Sequence, residues 1–256
     1  MARGSSGRRA AARQRTPGSQ LHQLREDDDL RGLLALYGLT SPGECATLLS
    51  PAQEPATARW WQAYSDVLPS WLGPYLQMEA AASVIRIYQD QSVPGLLQAA
   101  DYARALIRRG SAASDREVTR RAELQIGRQD ILRGPRPPQL WAVIDKGALH
   151  RQPGGRNVAR GQLRHLIGMA GHPAVTLQIR QAAAGARPAT AGPFGILRFP
   201  GPGQPDLVCI EQPASTLYLT GPADLDRYRQ VMEQLCLHAA PAASTIKILR
   251  GILDET

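Results

Sequence analysis

Val175-Thr176-Leu177-Gln178-Ile179-Arg180 is the stretch at which the chain changes its period. Apolar Val175, Leu177 and Ile179 alternate with Thr176, Gln178 and Arg180, the pattern of a half-buried strand. Phe194–Phe199, Leu207–Gln212 and Thr216–Leu219 follow as successive antiparallel strands joined by Gly/Pro turns. Gly201-Pro202-Gly203-Gln204-Pro205 leads into a strand, so its glycines read as a hairpin turn and not as a phosphate cradle. Helices at Pro222–Leu237 and Pro241–Leu253 close the chain.

Working back from Val175, a helix spans Asn157–Ala170, a strand Leu140–Ile144, and a helix runs to Leu132 from the capping box Ser114-Asp115-Arg116-Glu117. Earlier still come a helix at Leu97–Arg108, a turn at Val93-Pro94-Gly95, a strand at Val84–Tyr88 and a helix at Trp71–Ala82. A helix at Thr57–Val67 breaks at Pro69. Helices flanking strands in this order predict an α+β fold with a mixed, mostly antiparallel sheet. Asp27, Asp28 and Asp29 open a helix over 27–38, and Ser41-Pro42-Gly43-Glu44 opens another over Pro42–Ser50. The expected organisation is a basic tail with a short helical remnant at 1–26, connecting helices at 27–56, and one domain at 57–256.

The net charge is +8, but residues 1–25 hold six Arg and no acid, leaving +2 for the remaining 231 residues. The basic character belongs to a tail that can attract phosphate without reading sequence, or that is a solvated arm. Cys45, Cys209 and Cys236 form no CxxC, so neither a disulfide framework nor a zinc site is expected. No secretory h-region and no apolar run near the ~20 residues of a membrane span occurs. A cytoplasmic protein without membrane contact is expected.

Three of the four Trp lie between Trp60 and Trp71, in Trp60-Trp61-Gln62-Ala63-Tyr64-Ser65-Asp66-Val67-Leu68-Pro69-Ser70-Trp71-Leu72. This stretch continues through Tyr75-Leu76-Gln77-Met78-Glu79 and Val93-Pro94-Gly95-Leu96-Leu97-Gln98 to Asp101-Tyr102-Ala103-Arg104. It resembles the DUF5753 domain of actinobacterial regulators, the Scr1-family antitoxin-like or XRE-type transcriptional regulators. Further resemblance lies in Arg128-Gln129-Asp130-Ile131-Leu132, Trp141-Ala142-Val143-Ile144-Asp145, Leu149, Gly154-Gly155, Gln162-Leu163, Ala184-Gly185, Gly192-Pro193-Phe194 and Ile210-Glu211. Lys146 and Arg187 depart from the family's usual Glu and His.

In this family a helix-turn-helix precedes the domain. Ser19-Gln20-Leu21-His22-Gln23-Leu24-Arg25 resembles its recognition helix, but residues 1–18 offer no apolar period to pack behind it. A lone seven-residue helix does not hold itself folded, and groove docking needs the supporting helix. DNA binding is therefore expected to be weak and non-specific, through Arg8, Arg9, Arg13, Arg15, Ser19, Gln20, His22 and Gln23. The resemblance also implies a small DUF397-type protein as partner, and a homodimer is left open.

No HExxH or GxSxG occurs. No catalytic residue, cofactor or metal is assigned. His165 and His172 are seven residues apart, and capping or surface roles suit them better than ligation. The candidate ligand-binding residues are Trp60, Trp61, Tyr64, Trp71, Tyr75, Glu79, Arg86, Tyr88, Gln98, Tyr102, Trp141 and Glu211. Trp and Tyr combine area with one polar tip, and carboxylates beside aromatics can take raised pKa values. The plainer readings are an aromatic core, and Glu79 paired with Arg86 or Arg104. The expected function is an antitoxin-like transcriptional regulator or sensor whose domain binds a small molecule or a protein partner. The alternative is a small-molecule binding protein or cofactor-free enzyme of secondary metabolism.

Overall fold

Six strands hydrogen-bond in the order β3-β2-β1-β4-β5-β6. They are β1 Val84–Gln89, β2 Gln139–Asp145, β3 Val175–Arg180, β4 Phe194–Arg198, β5 Leu207–Gln212 and β6 Ser215–Leu219. The computed structural model describes residues 60–181, 192–201, 205–212 and 215–256, all within the unit Ser50–Thr256. The expected helices over 27–38 and 42–50, the tail and the recognition-helix remnant lie outside the described residues. The first three strands pair in parallel and the last three continue antiparallel from β1. The fold is α+β, with helices flanking a mixed, mostly antiparallel sheet.

Seven α-helices are described. They are α1 Leu72–Ala81, α2 Ala100–Gly110, α3 Asp115–Gly127, α4 Lys146–His150, α5 Arg156–Met169, α6 Pro222–His238 and α7 Thr245–Glu255. Side chains alternate across each strand, which sorts the sheet into two faces. Tyr88, Val143, Phe194, Ile196 and Val208 face α6 and bury Leu225, Met232 and Leu235. Ile85, Ile87, Ala142, Leu197, Leu207 and Cys209 point to the opposite face, and all are buried. The outer edge of β3 is closed by Ala240 N–H donating to the Ile179 carbonyl (3.0 Å) and Thr245 Oγ1 to that of Leu177 (2.5 Å). That leaves less unpaired backbone on which another strand could add.

Most expected elements form within a residue or two, and five details differ. Trp60–Tyr64 is a short 3-10 turn and not part of a helix to Val67. Val67 and Leu68 N–H both donate to the Tyr64 carbonyl, which closes the chain on itself before Pro69. The helix expected from Leu97 begins at Ala100. Gln98 is extended because its amide donates to the Val93 carbonyl (2.8 Å) while its own carbonyl accepts from Gln129 (2.6 Å). The helix from Ser114 ends at Gly127 and tightens to 3-10 over Arg128–Leu132. Its capping box is half made: Ser114 Oγ accepts from Glu117 N–H (3.3 Å), but the Glu117 carboxylate turns to Arg121 (3.1 Å). Ala242–Ser244 is a 3-10 turn, so the last helix begins at Thr245. Finally, β3 is buried on both faces and not half-buried. Gln178 donates to the carbonyls of Cys236 and Ala240 and accepts from Trp141 Nε1, while Arg180 pairs with Asp145 (2.7 Å). Gln178 is satisfied inside, and Arg180 is paired there through Nη2, with its Nε left without a partner among the described residues. A polar residue in the sequence therefore does not mark a wet face here.

Candidate functional site

Ile87, Gly195 and Cys209 are register neighbours on β1, β4 and β5. They form the floor of a concave pocket at the carboxyl ends of β1 and β5. Gly195 makes the hollow, because a Cβ there would meet nothing nearer than the Arg86 carbonyl at 3.7 Å. Tyr75 of α1, Pro94, Gly95, Arg128, Phe194 and Glu211 complete the wall around about 380 Å³ of empty space, open mouth included. That figure includes space open to solvent; the enclosed part is about 20 Å³, close to the room one water needs.

The wall is braced by a buried ion pair. Tyr75 and Glu79 share one face of α1 at the i, i+4 spacing. Arg128 heads the 3-10 segment after α3, donating from Nε (3.1 Å) and Nη2 (2.9 Å) to the two Glu79 oxygens. Its Nη1 donates to Gln125 Oε1 (2.9 Å), and the Tyr75 ring lies 5.2 Å from its guanidinium carbon. Glu79 and Arg128 are 1% and 7% exposed, so this is an interior pair. Gly95 lies close beside it: a Cβ there would sit 2.2 Å from Gln125 Nε2 and 3.0 Å from Arg128 Nη1, so those side-chain ends would have to shift.

Burial works against the Arg128 charge, but the Glu79 carboxylate outweighs it and keeps the guanidinium protonated. Burial, with Glu79 next, pushes the Tyr75 hydroxyl well above its ordinary range. Burial also holds the Cys209 thiol protonated, aided by Glu211 and Glu79, which is opposite to the need of a thiolate nucleophile. Crowding by protein atoms raises the Glu211 carboxyl, Arg128 opposes this, and Glu79 adds a smaller upward push. Glu211 as a residue is still exposed, so water damps these effects. Among the described residues no hydrogen bond or ion pair engages the Glu211 carboxyl. None of these lining groups is an activated nucleophile.

The expected site residues separate into groups. Tyr75 and Glu211 line the pocket, and Glu79 stands behind it. Glu79 pairs with Arg128, not with Arg86 or Arg104 as expected; Arg104 turns to Asp101 (2.7 Å). Trp60, Trp61 and Tyr64 form an edge-to-face cluster with centroids 5.9 and 6.0 Å apart. That cluster packs on α3, with Trp60 over Gly127 and Tyr64 under Arg120. Trp71 stands half-buried at the N-terminal cap of α1. None of these four lines the pocket.

Arg86 lies over Trp141, 5.6 Å from its centroid, on the α6 face with buried Tyr88. Tyr102 accepts from Val93 N–H (3.3 Å), and Gln98 is bonded as described above. The proposed DNA contacts at Arg8, Arg9, Arg13, Arg15, Ser19, Gln20, His22 and Gln23 lie outside the described residues. His172 Nδ1 accepts from Ala174 N–H (3.2 Å), and burial lowers the pKa of His165. No group of His, Cys, Asp or Glu able to hold a metal occurs among the described residues. No described helix is long and apolar enough to cross a membrane.

Sequence reasoning missed Arg128, Gly195 and Cys209 as wall and floor. Arg128 and Gly195 do sit in or beside the motif fragments quoted above, but nothing local says that they meet. No curated protein and no solved structure matches the chain. Residues 72–251 match the family model described as Domain of unknown function (DUF5753). That span contains Tyr75, Glu79, Arg128, Gly195, Cys209 and Glu211, while Trp60, Trp61, Tyr64 and Trp71 precede it. The chain belongs to the DUF5753 family.

Proposed function

We propose that this domain is the small-molecule sensing part of an antitoxin-like transcriptional regulator. The observation that supports it is the pocket itself, hollowed by Gly195 and walled by an aromatic ring, a neutralised Arg128 and the Glu211 carboxyl. Convergent polar groups in an otherwise apolar concavity are the usual make-up of a ligand site. The regulator setting comes from the resemblance to actinobacterial Scr1-family and XRE-type proteins. With it come a DUF397-type partner and weak, salt-sensitive contact of the Arg-rich tail with DNA.

Thermal unfolding of the full chain against a metabolite panel tests the sensing role. A ligand at a hundred times its Kd adds about 2.7 kcal/mol, roughly 5–10 °C for a domain of this size. Gly195→Val, which grows a side chain into the hollow, should abolish the shift, and Gly195→Ala should leave the fold intact. No stabilising compound, or the same shift in Gly195→Val, would remove the sensing role.

A further inference from the structure

We infer that the exposed face of α5 is a nucleic-acid contact of the domain itself, one that grips the phosphate backbone of duplex DNA without reading its sequence. No α5 residue lines the pocket, so this contact does not depend on the sensing role.

Residues 26–256 carry a net +2, yet charge within them is segregated. The 60 residues from Lys146 to Pro205 hold one Lys, seven Arg and no acid, a charge of +8. Residues 26–145 and 206–256 hold 16 cations and all 22 acids, a charge of −6. Arg180 and Arg198 are drawn to Asp145 and Asp206, the acids that bound the basic stretch (2.7 and 3.2 Å). Arg151 and the arginines of α5 have no acid in their own segment. α5 sets Arg156, Arg160 and Arg164 at i, i+4 and i+8, about 6 Å apart along one side. Like charges at that spacing repel, and Arg156 stands in the first turn, where the helix dipole is already positive. By contrast, Arg104, Arg108, Arg121 and Arg229 on α2, α3 and α6 meet carboxylates at 2.6–3.1 Å. Arg160 donates from Nη1 to the Leu253 carbonyl (2.8 Å), tying α5 to α7, where Asp254 and Glu255 follow. Arg160 is therefore a brace, and Arg151, Arg156 and Arg164 are the exposed charges left for a partner. The fully exposed positions of α5 are Arg156, Asn157, Arg164 and Gly168. No apolar anchor stands among them, as a membrane-surface helix or the core of a protein interface would need. Arg and Asn side chains are common donors to phosphate oxygens, and such contacts position a protein on the duplex without specifying bases.

Fluorescence anisotropy of a short random-sequence duplex with the full chain, read from roughly 50 to 200 mM salt, measures the contact. Each neutralised phosphate adds about 0.9 to the steepness of the salt slope. Arg151→Gln, Arg156→Gln and Arg164→Gln together should therefore make the slope shallower by about 2–3 and weaken binding about tenfold or more. The Arg-rich tail is common to both proteins, so the difference belongs to the domain. Arg164→Gln alone should change the slope by about 1, which decides the matter even if the triple variant folds poorly. A charge-matched variant, Arg116→Gln with Arg227→Gln and Arg229→Gln, should change it by less than about 1. An unchanged slope in the α5 variants, or an equal change in the charge-matched one, would overturn the contact. Tighter binding of a poly-glutamate peptide or of phosphatidylserine vesicles than of the duplex would overturn it too, and would give the face to a protein or a membrane.

Discussion

Glu79→Ala isolates what the buried pair contributes. It removes both acceptors from Arg128 Nε and Nη2 and leaves a guanidinium only 7% exposed, with Gln125 and the Tyr75 ring as neighbours. Leaving a buried charge without its partner costs about 3–5 kcal/mol. Urea unfolding should show that loss as a lower midpoint with an unchanged slope. The melting temperature should fall by roughly 6–20 °C for a domain of this size. The control is Glu79→Leu combined with Arg128→Met, which removes both charges while keeping apolar bulk. Desolvation of two ions nearly offsets their attraction, so the double variant should recover most of the loss. A cost below about 1 kcal/mol for Glu79→Ala would mean that water reaches the pair, as at a surface bridge. A double variant as unstable as the single one would assign the loss to packing. Either result would refute the view of Arg128 as a desolvated, charge-balanced wall.

Trp61→Ala should destabilise by about 3–5 kcal/mol, since its indole is 6% exposed, and half-buried Trp60 should cost less; equal losses in urea would contradict the packing on α3. Gly154→Ala should cost more than about 1 kcal/mol in the same assay, because φ is +78° and the new Cβ would lie 2.8 Å from that of Ala105. Glu211 titrates above its ordinary 4.5 in the folded protein. Its contribution to stability is complete below the unfolded value and is lost as pH rises through the raised one. Glu211→Gln should therefore flatten the stability profile above about pH 4.5, and an unchanged profile would count against the shift. Cys209, buried and protonated, should resist a thiol reagent in the native state and react on unfolding; fast native labelling assigned to Cys209 by peptide mapping would show an open or ionised thiol.

Periodicity and end signals determined most of the elements by themselves, because they are local. Val84–Gln89, Gln139–Asp145 and Arg156–Met169 form within about a residue of where apolar spacing places them. The alternation in Val175–Arg180 also named the right strand, yet gave the wrong wetness. Polarity in a sequence reports a need for partners, and Gln178 and Arg180 find theirs in Trp141, two carbonyls and Asp145. The aromatic run drew attention to Trp60–Trp71, and none of these indoles lines the hollow at Gly195. Indoles are large enough to fill space wherever they fall, and these fill the seam against α3. What only the tertiary structure decided is which distant residues meet. Glu79 reaches Arg128 across 49 positions, and Ile87, Gly195 and Cys209 become neighbours through parallel and antiparallel pairing around β1. A residue without a side chain carries no signal of its own. Gly195 becomes the floor of a site only when the sheet sets it between two larger neighbours.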